Sequence, residues 1–356
     1  MLLNSIAKHL SFKKTSLLHE FEQTPLGFID VGARGGVHEL VEPFAMYTAV
    51  LAFEPDKKEC LRLQAIEEVT APWASFTLEA SALSDERGSA ELVLMSAPTN
   101  HSLRAPNLQL TDRYQMEKWR EIGREPLQVD TLDNIIQRNK SQVNPVAEFI
   151  KLDTQGSEHE ILTGATETIR EQTVAIVCEV SFAELYKGQK LFSEVEQQMR
   201  SLGFSFYGFT SMFSRSQKQL NKLTNGTKER PFYTDAIFFK DPLSSLSNSE
   251  HQSERQSKSL FVISLLLGYF DFALELAKAT WLINACSTEI NAIATLVDEL
   301  SKLDAQAEQA ALNDLVSNIQ ATPEKIHLHI GAFVDARRAN NDFHDVLNTL
   351  ATPQPK

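Results

Sequence analysis

The chain has 356 residues, 42% of them hydrophobic, and a formal net charge of -13. That length suggests about two domains, and the apolar fraction supports a packed core and excludes general disorder. The acidic balance argues against nucleic acid as a partner, because phosphate backbones are bound by clustered Lys and Arg.

Taken in chain order, the first 21 residues (MLLNSIAKHLSFKKTSLLHEF) lack the long apolar core of a signal peptide. Residues 1–25 read as a helical extension with a basic face (Lys8, Lys13, Lys14) that packs on the adjoining domain, with membrane-surface contact the weaker reading. Strand-like runs then fall at 28–31, 50–53, 75–82, 90–95, 149–152, 175–180, 205–209 and 236–239. Amphipathic segments at 57–67, 132–137, 158–169 and 193–202 lie between several of them. Such alternation predicts an α/β fold with a mostly parallel sheet flanked by helices over 26–241, its last two strands an antiparallel pair joined by a polar loop, 211–230. A Ser-, Gln- and Glu-rich linker is expected over 242–259. Residues 260–350 carry helical spacing throughout, expected as an independent bundle for contact or homo-oligomerisation. LLLGYFDFALELAK within it has the look of a helix-pair repeat but has no second copy at fixed period. The apolar run LFVISLLL is too short to span a bilayer, so no transmembrane helix is expected. Cys60, Cys178 and Cys286 have no CxxC spacing and read as reduced, buried thiols of a cytoplasmic protein rather than a disulfide framework or zinc site.

The chemistry concentrates first in residues 27–55. A strand-like run ends on Asp30 and Val31, enters the glycine-bearing turn Gly32-Ala33-Arg34-Gly35-Gly36, and a second run ends on Glu54. This is the spacing of a nucleoside-binding half of a doubly wound sheet, in which an acidic side chain at the second strand tip can hold a ribose diol. Glycine lets backbone approach a ligand closely because it lacks Cβ. A dinucleotide site wants GxGxxG and a pyrophosphate on a helix start. Here the pattern is GxxGG preceded by Asp30, whose charge repels pyrophosphate and suits an ammonium. S-adenosylmethionine, cationic and free of phosphate, is therefore favoured over NAD.

A second concentration is FIKLDTQGSEHEILTGA, where a buried strand ends at Asp153 and turns through Thr154-Gln155-Gly156 into a helix. Strand C-termini face the ligand crevice, so Asp153 and Gln155 should look into the site, although Asp153 or Ser157 could simply cap the helix.

GFIDVGARGG, AFEPD, EASALSDERGSAEL, LQVDTLDNII and IKLDTQGSEHEILTGA, in this order and spacing, resemble the FkbM-type methyltransferase family, with EVSFAELYKGQKLFSEV and YTDAIFF continuing the likeness to about residue 240. The resemblance implies a class I methyltransferase Rossmann-like sheet flanked by helices, with the all-helical C-terminal region outside it. It also implies S-adenosyl-L-methionine as methyl donor and a hydroxyl of a sugar, glycan or related metabolite as acceptor. On it, Asp30, Gly32, Ala33, Arg34 and Gly35 hold the methionine end and Glu54 the ribose. Ser81, Ala82 and Leu83 border the adenine, and Asp153 lies near the transferred methyl or the cofactor amine. Arg34 is open to two roles, pairing with the cofactor carboxylate or an acidic substrate, or sitting in a surface turn. The family often has Glu where this chain has Gln155, which removes a negative charge and keeps a hydrogen-bonding group.

A hydroxyl acceptor must lose its proton during attack. His101, in an uncharged loop that could overhang the crevice, and His159, after the motif turn, are the base candidates beside Asp153. A divalent metal shared by Asp153 and Glu179 is the less favoured route, as the sequence supplies no compact third ligand. Tyr186, Lys187 and Gln189 read either as substrate-side residues or as a polar loop. The alternative functions are a non-catalytic binding or scaffold protein that keeps the fold and uses its helical region, and an NAD-dependent oxidoreductase.

Overall fold

The computed structural model describes residues 3–66, 72–139, 147–210, 212–217, 219, 229–244 and 252–339. The segment before the sheet is not one helix but turns, a 3-10 helix Phe12–Lys14 and a short helix α1 (Leu17–Gln23). β1 (Leu26–Val31) crosses to β2 (Thr48–Phe53) through a 3-10 helix, Glu39–Tyr47, with Pro43 inside it. Next come α2 (Lys57–Gln64) and β3 (Ser75–Glu79), then β4 (Ala82–Leu83), β5 (Gly88–Met95), α3 (Leu108–Arg113) and β6 (Glu121–Asp130). α4 (Leu132–Asn139), β7 (Phe149–Leu152), α5 (Glu158–Thr163), α6 (Thr166–Glu171), β8 (Ala175–Ser181) and α7 (Phe192–Ser201) continue the alternation. β9 (Ser205–Phe209), β10 (Phe213–Arg215) and β11 (Arg230–Phe239) end the sheet. The last helices are α8 (Glu254–Leu266), α9 (Phe270–Ala279), α10 (Ser287–Ala321) and α11 (Ile326–Ala339).

The main sheet runs β3-β2-β1-β7-β8-β11, with β9 and β10 both paired to β11. The pairs from β3 to β8 are parallel and those made by β11 antiparallel, so this is the class I methyltransferase arrangement with a helical C-terminal region. Successive strand residues point to opposite faces. Phe28, Val50, Phe149, Val177 and Phe239 enter one core, while Ile29, Leu51, Ile150, Ile176 and Phe238 enter the other. Burial on both faces is what makes these strands read as continuous apolar runs.

Two local expectations are corrected. The run 75–82 is not one strand: β3 stops at Glu79 and β4 joins a second sheet, β4-β6-β5. The segment 158–169 is two helices broken around Gly164, where a Cβ would come within 2.1 Å of the Ser84 carbonyl. The C-terminal helices also do not stand apart. Leu260–Leu266, Leu276, Ile293 and Leu296 share the first core with Phe12, Leu17, Phe21 and the sheet. α8 starts six residues inside the expected linker, where Arg255 and Ser259 bond Glu148 at the foot of β7. Residues 245–251 and 340–350 of the expected linker and bundle, and most of loop 211–230, lie outside the described residues. No helix among the described residues is long and apolar enough to cross a membrane.

Candidate active site

The turn after β1 folds back on β2: the Gly32 and Ala33 N–H groups both donate to the Phe53 carbonyl at 3.0 Å. Gly32 has φ +97°, and a Cβ there would sit 2.0 Å from the Asp153 carbonyl oxygen. Only glycine accepts both the left-handed backbone and this approach of the β1 and β7 tips. The Gly35 N–H donates to Glu59 Oε1 at 2.9 Å. Arg34, for which a cofactor carboxylate, an acidic substrate or a surface turn were open, donates to Asp56 at 2.8 Å and lies 3.6 Å from Glu54. Its guanidinium is committed inside the protein.

Glu54 is 3% exposed and takes a single N–H, that of Asp56, on Oε1 at 2.9 Å. Among the described residues no hydrogen bond reaches Oε2. Burial raises the Glu54 pKa, and the Asp56 N–H and Arg34 only partly oppose it. Asp30 is equally buried and accepts the His38 N–H at 2.8 Å. Its pKa is pushed up to about 7, first by burial, against the pull of the His38 N–H and Lys151. Both carboxylates are desolvated and under-partnered.

Between these tips and the second sheet opens a cleft holding about 820 Å³ of space, its open mouth included. Val31, Phe53, Leu83, Leu92 and Ile161 give it apolar walls, and Gly32, Arg34, Glu54, Ser81, Ala82 and Leu83 all line it. The Ser81 hydroxyl is buried with no partner. Asp30, Gly35, His38 and Lys151 line an adjacent hollow, and Gly32, Arg34 and Asp153 border both spaces. Ala33 is buried behind the turn and borders neither.

The other wall is built around Asp153 and Gln155. Gln155 Nε2 donates to Asp153 Oδ1 at 2.8 Å and to Glu179 Oε2 at 3.1 Å. Lys151, 1% exposed, donates to Asp235 at 2.9 Å and lies 4.0 Å from Asp153 Oδ2. Burial would lower the Lys151 pKa, but Asp235, Asp153 and Glu179 outweigh it and the pKa is raised. The Glu179 pKa is raised well above the carboxylate range, by burial first and then by Asp153, Glu158 and Asp235.

A flap from the second sheet, bearing Pro98, Thr99, His101, Ser102 and Leu103, closes this side. His101 does overhang the cleft, but its Nδ1 accepts the Met95 N–H at 3.0 Å, and burial foremost lowers its pKa. The neutral ring therefore carries its proton on Nε2 and presents a donor, the wrong form for a base. His159 lines neither space; it sits beside Glu194 at the start of α7. Tyr186 and Gln189 are buried; Gln189 ties the loop together through the Leu185 and Tyr186 N–H groups and Ser181, the Tyr186 hydroxyl reaches Asn100 and Gln155, and Lys187 bonds Ala105 and Arg104 through its backbone. Sequence reasoning missed Lys151 and Asp235. The available signal was a charged residue in the otherwise apolar FIKL and DAIFF strands. Among the described residues no group of three or more His, Cys, Asp or Glu is disposed to hold a metal ion.

The spaces fit S-adenosylmethionine. An orphaned hydroxyl at Ser81, an apolar slot, an under-partnered carboxylate at Glu54 and a second one at Asp30 match an adenine, a ribose diol and an ammonium. No curated protein matches the chain. Among solved structures it is similar to a methyltransferase FkbM from Methylobacillus flagellatus KT, with 14% identity, TM-score 0.35, and 60% of this chain and 43% of that one covered. The chain thus spans less than half the length of that relative. It is also similar to the magnesium protoporphyrin IX methyltransferase of Synechocystis PCC 6803 with bound S-adenosylmethionine, at 9% identity and TM-score 0.30 over 64% of this chain and 78% of that one. Residues 30–206, from the buried Asp30 through Glu54 and Asp153 to β9, match the Methyltransferase FkbM domain. Residues 30–206 therefore form a domain of that methyltransferase family, and S-adenosylmethionine is its cofactor.

Proposed function

We propose that the protein transfers a methyl group from S-adenosylmethionine to a hydroxyl of a sugar, glycan or related small metabolite. The observation that carries this reading is Asp153. It stands on the tip of β7 where the two spaces meet, its side chain is 43% exposed, and Gln155 fixes one of its oxygens. When bound, the cofactor supplies a methyl group on a sulfonium, already a good leaving group, so alignment of the acceptor does most of the work. Glu54 holds the ribose hydroxyls, Ser81, Ala82 and Leu83 border the adenine, and Asp30 with the Gly32–Gly35 turn receives the amino-acid end. Asp153 Oδ2 accepts the hydrogen bond of the acceptor hydroxyl and takes its proton as the new O–C bond forms. His101, through Nε2–H, donates to an acceptor or cofactor oxygen.

Thr99, His101 and Thr154 along the same wall support a hydroxyl-bearing acceptor over an apolar one. Three free thiols, two of them buried, support a reducing, cytoplasmic setting. Homo-oligomerisation attaches to α10 and α11, where Leu312, Val316, Ile326, Leu328 and Ile330 are exposed; a monomeric mass by light scattering would remove it. Mass spectrometry of glycans and small metabolites from cells with and without the gene tests the acceptor class. A gain of one methylene on a sugar hydroxyl is expected, and a methyl mark confined to protein or nucleic acid would overturn the reading.

A further inference from the structure

The turn Thr154-Gln155-Gly156 is the most tightly determined piece of the acceptor wall. Gln155 has φ +60°, a left-handed conformation that is unfavourable for a non-glycine residue and persists only when its surroundings over-determine it. They do. The Ser102 hydroxyl donates to the Gln155 carbonyl at 2.7 Å, the Tyr186 hydroxyl to Gln155 Oε1 at 2.8 Å, and Glu158 takes the Thr154 and Gly156 N–H groups. A Cβ on Gly156 would press within 3.2 Å of the Tyr186 ring. The Tyr186 proton is shared between Gln155 Oε1 and the Asn100 carbonyl at 3.1 Å, and the two carboxylates, which only accept, set the amide nitrogen on their side.

We propose that Gln155 is the positioning residue of the acceptor site: its amide does between Asp153 and Glu179 the work a divalent cation could do, holding the two carboxylates together so that Asp153 turns Oδ2, which has Lys151 at 4.0 Å, toward the acceptor. The two carboxylates come from neighbouring parallel strands, β7 and β8, and an amide N–H₂ supplies two hydrogens for two acceptors. The Ser102 bond ties the flap to the backbone carbonyl of the same residue, so the flap and the carboxylates meet at Gln155, one through its backbone and the other through its amide. The assignment of Oδ2 to the acceptor rests on the O-methylation reading; the bridging by the amide does not.

The test uses the full-length protein and Mn²⁺ alone, monitored by electron paramagnetic resonance, with circular dichroism to check folding. Wild type should bind Mn²⁺ only weakly at this locus and is the reference. Gln155→Glu, nearly isosteric, replaces the bridging donor by a third carboxylate and should bind Mn²⁺ about tenfold or more tightly than wild type, because affinity for hard cations follows ligand charge. Adding Asp153→Asn to it should abolish the gain, which a merely loosened structure would not do. Gln155→Ala, which frees both carboxylates without adding one, should show a smaller gain and serves if Gln155→Glu does not fold. Equal Mn²⁺ affinity in wild type and both variants, or a gain that survives Asp153→Asn, would overturn the proposal. Neither outcome depends on the acceptor being a sugar, which the metabolite comparison tests separately.

Discussion

Two buried glutamates at opposite ends of the central sheet have opposite lives. Glu148, at the foot of β7, is 1% exposed and receives the Gly27 N–H at 3.0 Å, Arg255 through Nε and Nη2 at 2.7 and 2.8 Å, and the Ser259 hydroxyl at 2.6 Å. Glu54, at the tip of β2, is 3% exposed and receives one N–H. A buried charge is tolerated when hydrogen bonds replace its water. Glu148 meets that condition within the folded chain and is structural. Glu54 has beside that N–H only the Arg34 guanidinium at 3.6 Å and meets the condition fully when a ligand brings donors, which is how a binding carboxylate differs from a structural one at equal burial.

The largest effect should come from breaking the satisfied end. Arg255→Ala leaves the Glu148 charge buried with two donors removed and should cost about 3 kcal/mol of stability or more, read as a lowered melting temperature. A change below about 1 kcal/mol would mean that α8 is held by its apolar face alone. Next, Gly32→Ala forces a Cβ toward the Asp153 carbonyl at a φ of +97°. It should cost about 2 kcal/mol or more and abolish measurable cofactor binding; retained affinity would show that the β1 and β7 tips can separate freely.

A smaller effect comes from Asp30. Its folded pKa, raised from 3.8 to about 7, means that its contribution to stability is full below about pH 4 and is lost as pH rises through 7. Binding of an ammonium has the opposite sign, because it requires the carboxylate. Cofactor affinity should rise about fivefold between about pH 6 and 7, and Asp30→Asn should flatten that rise. An unchanged slope in the variant would place the titrating group elsewhere. Smallest is the state of His101: nitrogen NMR should show a neutral ring protonated at Nε2, with a pKa below the ordinary histidine value. A ring protonated at Nδ1 would restore it as a base.

The cofactor end was legible because it is built from neighbours in sequence. Strand, glycine turn and acidic tip fall within residues 27–55, and backbone geometry does the rest. The acceptor end was not, because its partners are far apart: Gln155 meets Ser102, Glu179 and Tyr186. The second sheet was missed for a different reason. β6 (EIGREPLQVD) is exposed over most of its length and contains Pro126, so it has no apolar alternation to find. Likewise the first turns of α8 looked like a linker because Arg255, Lys258 and Ser259 are polar, yet they face Glu148 and Glu20 inside the fold. Composition reports polarity, not whether a buried partner awaits it.

The difference between the two glutamates is tested most directly by calorimetric titration of wild type and Glu54→Gln with S-adenosylhomocysteine, alongside thermal melts. Neutralising an under-partnered buried carboxylate should leave the free protein as stable or more stable, while removing a charge-assisted contact worth roughly 1.5–3 kcal/mol to the ligand. The predicted result is an affinity at least about tenfold weaker with no fall in melting temperature. Equal affinity in the two proteins, or a variant that melts markedly earlier, would show that Glu54 is a second Glu148 and contradict its role as a binding carboxylate.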